Sequence, residues 1–112
     1  MSTFIKSFGW ARNGLRAVWR EERNFRIQLV IGTLAVIAGF LSDFVAVQWV
    51  LLVMTIALVL MGEIVNTVIE DICDKIQPEH DPAIGKIKDM MAGYVLLSSV
   101  AAVIVGLFIF LA

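Results

Sequence analysis

Residues 44–62 read FVAVQWVLLVMTIALVLMG without a single charge, and residues 63–74 continue directly as EIVNTVIEDICD. The uncharged run of 19 residues matches the roughly 20 apolar residues that a helix needs to cross bilayer hydrocarbon. It shows no period-two alternation. Backbone polar groups find no water in lipid, so only helices or closed barrels can span it. The stretch therefore predicts a membrane helix. Gly62 is the only weak point before the acidic segment, so the helix is predicted over residues 44–76.

Working outward, residues 27–42 and 90–112 form two more uncharged runs, of 16 and 23 residues. The first is short for a span and needs residues before Ile27 or local thinning of the bilayer. Membrane helices are expected over about 26–42, 44–76 and 87–112, with a tight hairpin at Ser42, Asp43 and Phe44. Composition agrees. The 112 residues are 60% apolar with a mean hydropathy of +0.89, whereas about 45–50% is usual for a soluble domain. So small a globule cannot hide that excess, and lipid must serve as solvent.

The amino-terminal segment carries Lys6, Arg12, Arg16, Arg20, Arg23 and Arg26 against Glu21 and Glu22. The positive-inside rule places this end in the cytoplasm and Ala112 on the outer face. Phe4, Phe8, Ala11, Leu15, Val18 and Trp19 fall within an arc of about 100°, with the basic residues opposite. Residues 1–25 are therefore expected to form an amphipathic helix in the membrane interface, serving either as an anchor alone or as part of a site. The expected fold is all-α: this interfacial helix plus three transmembrane helices in one domain, 1–112. Residues 77–85, with Pro78 and Pro82, read as the one obvious loop. The single cysteine, Cys73, excludes an intrachain disulfide. The amino terminus has no signal-peptide pattern and reads as mature sequence.

The chemistry concentrates after Gly62. Glu63, Asn66, Glu70 and Asp74 are three, four and four residues apart, which stacks them within about 80° of one helix face. Exposed carboxylates past a span often mark only the water boundary, and Asp71 and Asp74 taken alone fit that reading. Glu63 lies at the predicted edge of the hydrocarbon, where an ionisable group is costly and usually functional. Mg²⁺ takes one or two carboxylates together with substrate phosphates. Phosphoryl transfer needs positioning, charge neutralisation and a group to accept a proton. In that chemistry Glu22 and Glu70 would hold metal, Glu63 would be the base and Asn66 would orient the reacting groups. Lys88 fits a phosphate contact and a positive-inside anchor equally well. His80 has no partner at ligand spacing and reads as incidental. Trp10, Trp19 and Trp49 read as interface belts or core, and the methionines as packing residues. No P-loop or kinase-type glycine loop is present. From spacing alone, a phosphotransferase, a non-enzymatic cation-binding membrane protein and a structural partner subunit all remain open.

The segment Glu63-Ile-Val-Asn66-Thr-Val-Ile-Glu70-Asp-Ile-Cys-Asp74 resembles the E-[IL]-x-N-[ST]-A-I-E-x-x-x-D signature of the prokaryotic diacylglycerol kinase family, which includes the undecaprenol kinases. Val68 replaces the usual alanine. Lys88-Asp89 is similar to the family's K-D pair. Gly14-Leu15-Arg16, Trp19 and Glu22, then Asn24-Phe25-Arg26, are similar to its amino-terminal pattern. The resemblance covers nearly the whole chain. It implies a homotrimeric helical bundle of nine spans in the bacterial inner membrane, with sites shared between subunits. MgATP would be the phosphoryl donor and a membrane lipid alcohol the acceptor. By position, Glu63 would be the base, Asn66 a neighbour of the reacting phosphate, and Glu22 and Glu70 the Mg²⁺ ligands. Trp10, Asp74, Glu79, Asp81, Lys88 and Asp89 would contact the nucleotide, together with Glu22 and Glu70 through the metal. Gram-negative diacylglycerol kinases have glutamate at the position of Gln28 and serine at that of Ala92. The run Asn24-Phe-Arg-Ile-Gln28, together with Pro78-Glu79 and Ala92-Gly93, leans toward undecaprenol as acceptor, with diacylglycerol the alternative.

Overall fold

The computed structural model describes residues 2–112. It contains four helices in chain order: α1 (Thr3–Glu21), α2 (Arg23–Leu41), α3 (Ala46–Ile76) and α4 (Pro82–Leu111). The last three are long and apolar enough to cross a membrane.

Each boundary has a local cause. The Ser2 hydroxyl accepts the Ile5 amide and opens α1. Between α1 and α2 the only non-helical residue is Glu22, at φ −114° and ψ 106°. The expected continuous helix to residue 25 therefore breaks earlier, and α2 starts at Arg23. Neither Gly nor Pro makes this break. The Arg26 guanidinium spans it from the next helix, donating through Nη1 to the Trp19 and Arg20 carbonyls at 2.6 and 3.1 Å.

The α2–α3 hairpin turns through Asp43, whose φ of 54° is left-handed, a region that Asp tolerates better than most residues. The Ser42 amide donates to the carbonyls of Ala38 and Gly39. Gln48 then serves two elements: its Oε1 accepts the Val45 amide at 2.9 Å, and its Nε2 donates to the Ile109 carbonyl of α4 at 3.0 Å. An aromatic cluster of Phe40, Phe44, Trp49 and Phe110 closes this end of the bundle, with ring centroids 4.6–5.5 Å apart.

At the other end, α4 begins at Pro82, five residues before the expected start. The reason is a strong start signal: Asp81 Oδ1 accepts the Ala83 and Ile84 amides at 2.8 and 3.2 Å, and Pro suits the first helical position. The loop shrinks to residues 77–81.

Small residues set the helix spacing, as membrane packing requires. A Cβ on Gly32 would lie 3.0 Å from Ile56 Cγ2, and one on Gly39 would lie 2.9 Å from Trp49 Cη2. The α2–α3 seam therefore closes on glycine. Within one chain few side chains are buried. Phe25, Leu52, Val59, Cys73 and Ile109 are the apolar ones, while Leu34, Leu97, Phe108 and many others lie exposed. Their solvent in a bilayer is lipid or another protein surface.

Length places the site. At about 1.5 Å per residue, the 31 residues of α3 reach roughly 46 Å, against about 30 Å of hydrocarbon. Measured from Ala46, roughly 30 Å ends near Asn66, which leaves Glu63 at the edge of the apolar layer and Glu70 and Asp74 beyond it.

The Gly39–Trp49 seam yields a stability test. Gly39→Ala should destabilise the protein by about 1–3 kcal/mol, the usual penalty of an overpacked core, as read from unfolding in mixed micelles. Trp49→Phe in the same chain removes the two ring atoms nearest the new methyl and should restore part of the loss.

Candidate active site

The site begins on the polar face of α3. Glu63 is 3% exposed despite its charge, and Thr67, one turn on, is 5% exposed. The Thr67 hydroxyl donates to the Glu63 carbonyl at 3.0 Å, so it serves the backbone. Asn66 Nδ2 donates to Glu70 Oε1 at 3.1 Å, the contact expected of residues four apart on a helix. Asn66 Oδ1 is buried with no hydrogen-bond partner among the described residues. An unpaired buried acceptor costs stability, so this oxygen is available to a donor from outside the chain.

Glu22, at the α1–α2 break, is half-buried and meets this face. Its burial, followed by the charges of Glu70, Asp71 and Glu21, holds its carboxyl above the usual carboxylate range, while Arg26 pulls it back. Glu22, Glu63 and Glu70 therefore gather acidic groups around one zone with little cationic compensation. Among the described residues no group of three or more His, Cys, Asp or Glu side chains is close enough together to hold a metal ion by itself. Glu22 and Glu70 offer two carboxylates, the number that Mg²⁺ commonly takes beside water and phosphate. The orphaned Asn66 oxygen and the uncompensated acids agree with a cationic or proton-donating occupant.

A second group lies further along α3. Lys88 Nζ contacts Asp74 Oδ1 at 2.5 Å and ties the end of α3 to the start of α4. Beside this pair is a polar cleft of about 140 Å³, lined by Asp74, Gln77, Glu79, His80, Asp81 and Lys88 among others. Four of the residues singled out from sequence, Asp74, Glu79, Asp81 and Lys88, thus share one cleft. Asp81 is in part committed elsewhere, since one of its carboxylate oxygens caps α4. Trp10, 60% exposed on α1, and Asp89, exposed on α4, do not line this cleft. Sequence reasoning passed over Gln77 and set His80 aside, yet both line it. Their signal was position alone, in the short connection between two capped helix ends. Arg26 was also passed over, for its partners lie six and seven residues back, outside any helical pattern.

The fold and the site define a multi-pass helical membrane protein with an acid–amide face where one helix leaves the apolar layer. Residues 9–110 match the family model of prokaryotic diacylglycerol kinases. The chain is 34% identical over 111 residues to the undecaprenol kinase of Bacillus subtilis, covering 99% of this chain and 90% of that one. It is 39% identical over 100 residues to the diacylglycerol kinase of Escherichia coli K12, covering 89% and 82%. It is also 37% identical over 103 residues to a diacylglycerol kinase of Synechocystis, covering 91% and 59%. The chain belongs to the prokaryotic diacylglycerol kinase family. It is an enzyme of the kinase class.

The Lys88–Asp74 pair separates stability from function. Both side chains are exposed, by 39% and 62%, and solvent-exposed ion pairs contribute little to stability. Asp74→Asn should therefore leave the unfolding midpoint in micelles indistinguishable from wild type, so any loss it causes elsewhere belongs to the cleft.

Proposed function

We propose that this chain transfers the γ-phosphoryl group of ATP to the primary hydroxyl of a membrane lipid alcohol. Undecaprenol is the favoured acceptor and diacylglycerol the alternative. The observation that carries the reading is the α3 face itself. Buried Glu63 is followed by the Asn66–Glu70 hydrogen bond at 3.1 Å and an unpaired Asn66 oxygen, at the level where the helix emerges from the apolar layer.

In this mechanism Glu63 takes the proton of the lipid hydroxyl as its oxygen attacks the γ-phosphorus. The bond from that phosphorus to the β-phosphate bridging oxygen breaks, and ADP leaves with the electron pair. Proton transfer to a positioned carboxylate typically contributes about 10²–10⁴-fold to the rate. Asn66 holds Glu70 through its amide nitrogen and leaves its oxygen to orient the reacting groups. Glu22 and Glu70 would hold Mg²⁺, which would neutralise charge on the phosphates when bound. Lys88 leaves Asp74 to meet phosphate oxygens, and Asp74, Glu79 and Asp81 hold the rest of the nucleotide. Trp10 and Asp89 join this site from outside the cleft, in an assembled homotrimer whose neighbouring subunits complete one another's sites.

The membrane supplies the acceptor sideways. Gln28 lines an apolar cavity of about 340 Å³ between α2, α3 and α4, together with Gly32, Leu52, Ile56 and Phe110. A hydrocarbon chain lying there would bring its hydroxyl toward the cytoplasmic end, where α1 lies in the interface with the amino terminus inside. The preference for undecaprenol rests on Gln28 and Ala92, which replace the acidic and hydroxyl side chains of the diacylglycerol-specific branch.

Side-by-side phosphorylation of undecaprenol and diacylglycerol by purified protein in micelles, with radiolabelled ATP and Mg²⁺, tests this reading. Product from undecaprenol should form faster, and chelating the metal should abolish both reactions. Glu63→Gln should keep the helical circular dichroism while losing about 10²–10⁴-fold in kcat, the range for removing a general base. Turnover near the wild-type rate would remove Glu63 from the mechanism. Cation flux without nucleotide dependence would favour a non-enzymatic membrane protein.

A further inference from the structure

We infer that Arg26 is a positioning residue: its guanidinium locks the one-residue corner at Glu22 and so aims the Glu22 carboxylate at the acidic face of α3. The inference rests on the proposed role of Glu22 as a metal ligand.

A helix ends with unsatisfied carbonyls and the negative end of its dipole. At the end of α1 the Val18 carbonyl is satisfied by the Glu22 amide at 2.9 Å. The next two, on Trp19 and Arg20, both receive Arg26 Nη1. The donor comes from the first turn of α2, not from α1. One side chain therefore fastens the end of one helix to the start of the next across an extended residue. The Arg26 backbone amide reinforces the corner by donating to the Glu22 carbonyl at 3.3 Å.

No other feature enforces the break. The local sequence Arg20-Glu21-Glu22-Arg23 holds no Gly or Pro and is compatible with one continuous helix. Were the helix to continue, α1 and α2 would share one axis, and Glu22 would lose its extended backbone and point elsewhere. Only the corner brings Glu22 against Glu70 and Asp71, with Arg26 the cation beside it. Both bonds leave the one nitrogen Nη1, whose two hydrogens are held in the fixed guanidinium plane, whereas the lysine ammonium is a rotating point charge.

The test compares Arg26→Gln, Arg26→Lys and Glu22→Gln in the full-length protein. Two measurements are made: Mn²⁺ binding by electron paramagnetic resonance with a non-hydrolysable ATP analogue, and the spin-label distance between Ser7→Cys and Lys75→Cys in a Cys73→Ala background. Arg26→Gln should broaden the distance distribution and weaken Mn²⁺ binding about 10-fold or more, the scale on which residues behind a ligand act. Arg26→Lys should recover part of both, and Glu22→Gln should weaken Mn²⁺ binding while leaving the distance narrow. An unchanged distance in Arg26→Gln overturns the inference, as does a broadened distance with wild-type Mn²⁺ binding. If Glu22→Gln itself binds Mn²⁺ as wild type does, the metal assignment of Glu22 fails, and the inference falls with it for that separate reason.

Discussion

Backbone amides and carboxylates are both costly in hydrocarbon, and the molecule is arranged around meeting the two costs at different heights. Helices satisfy the backbone within the apolar layer. The carboxylates are held back to the point where α3 outgrows that layer. Because α3 is 31 residues long, Glu63 sits at the boundary and Asn66, Glu70 and Asp74 follow it outward along one face. A shorter helix would leave Glu63 either in lipid or in open water. Neither place suits the base that the proposed reaction requires.

The rest of the chain serves that height and that direction. Gly32 and Gly39 let α2 close on α3, and the Phe40–Trp49–Phe44–Phe110 cluster holds the far end together. With one end of the bundle tied by Gln48 and the other by Lys88 and Asp74, α3 and α4 are joined at both ends of their shared length. The corner at Glu22, spanned by Arg26, then separates α1 from α2. In this arrangement the packing residues lie in the apolar layer and the chemical ones at its edge. The few side chains buried within one chain agree with an assembly that supplies the remaining surface.

Much of this was legible in the sequence, and the exceptions have physical causes. Three uncharged runs announce three membrane helices because lipid excludes charge. Four polar residues at spacings of three and four announce a single face because the helical period is fixed. The start of α4 falls earlier than the sequence suggests, because Pro78 and Pro82 together read as a loop over residues 77–85. In fact the Asp81 carboxylate makes Pro82 the first residue of a helix. The break at Glu22 was not legible, since it is enforced by a hydrogen bond from Arg26 reaching back six and seven residues. The grouping of Asp74 with Lys88, 14 residues apart, came from the family signature and not from any local period. Position within a short loop was too weak a signal to single out Gln77 and His80. The acceptor lipid is likewise beyond periodicity, because both proposed candidates would offer the same primary hydroxyl.

On the proposed function, the Glu63–Asn66–Glu70 face looks into a metal–nucleotide site and not into lipid. Selective broadening of side-chain resonances by Mn²⁺ with a non-hydrolysable ATP analogue tests this most directly. Paramagnetic broadening falls steeply with distance from the ion. The Asn66 side-chain amide signal should vanish on titration, while the Trp49 indole N–H signal, at the opposite end of α3, stays sharp. An Asn66 signal as sharp as that of Trp49 throughout the titration would contradict the account.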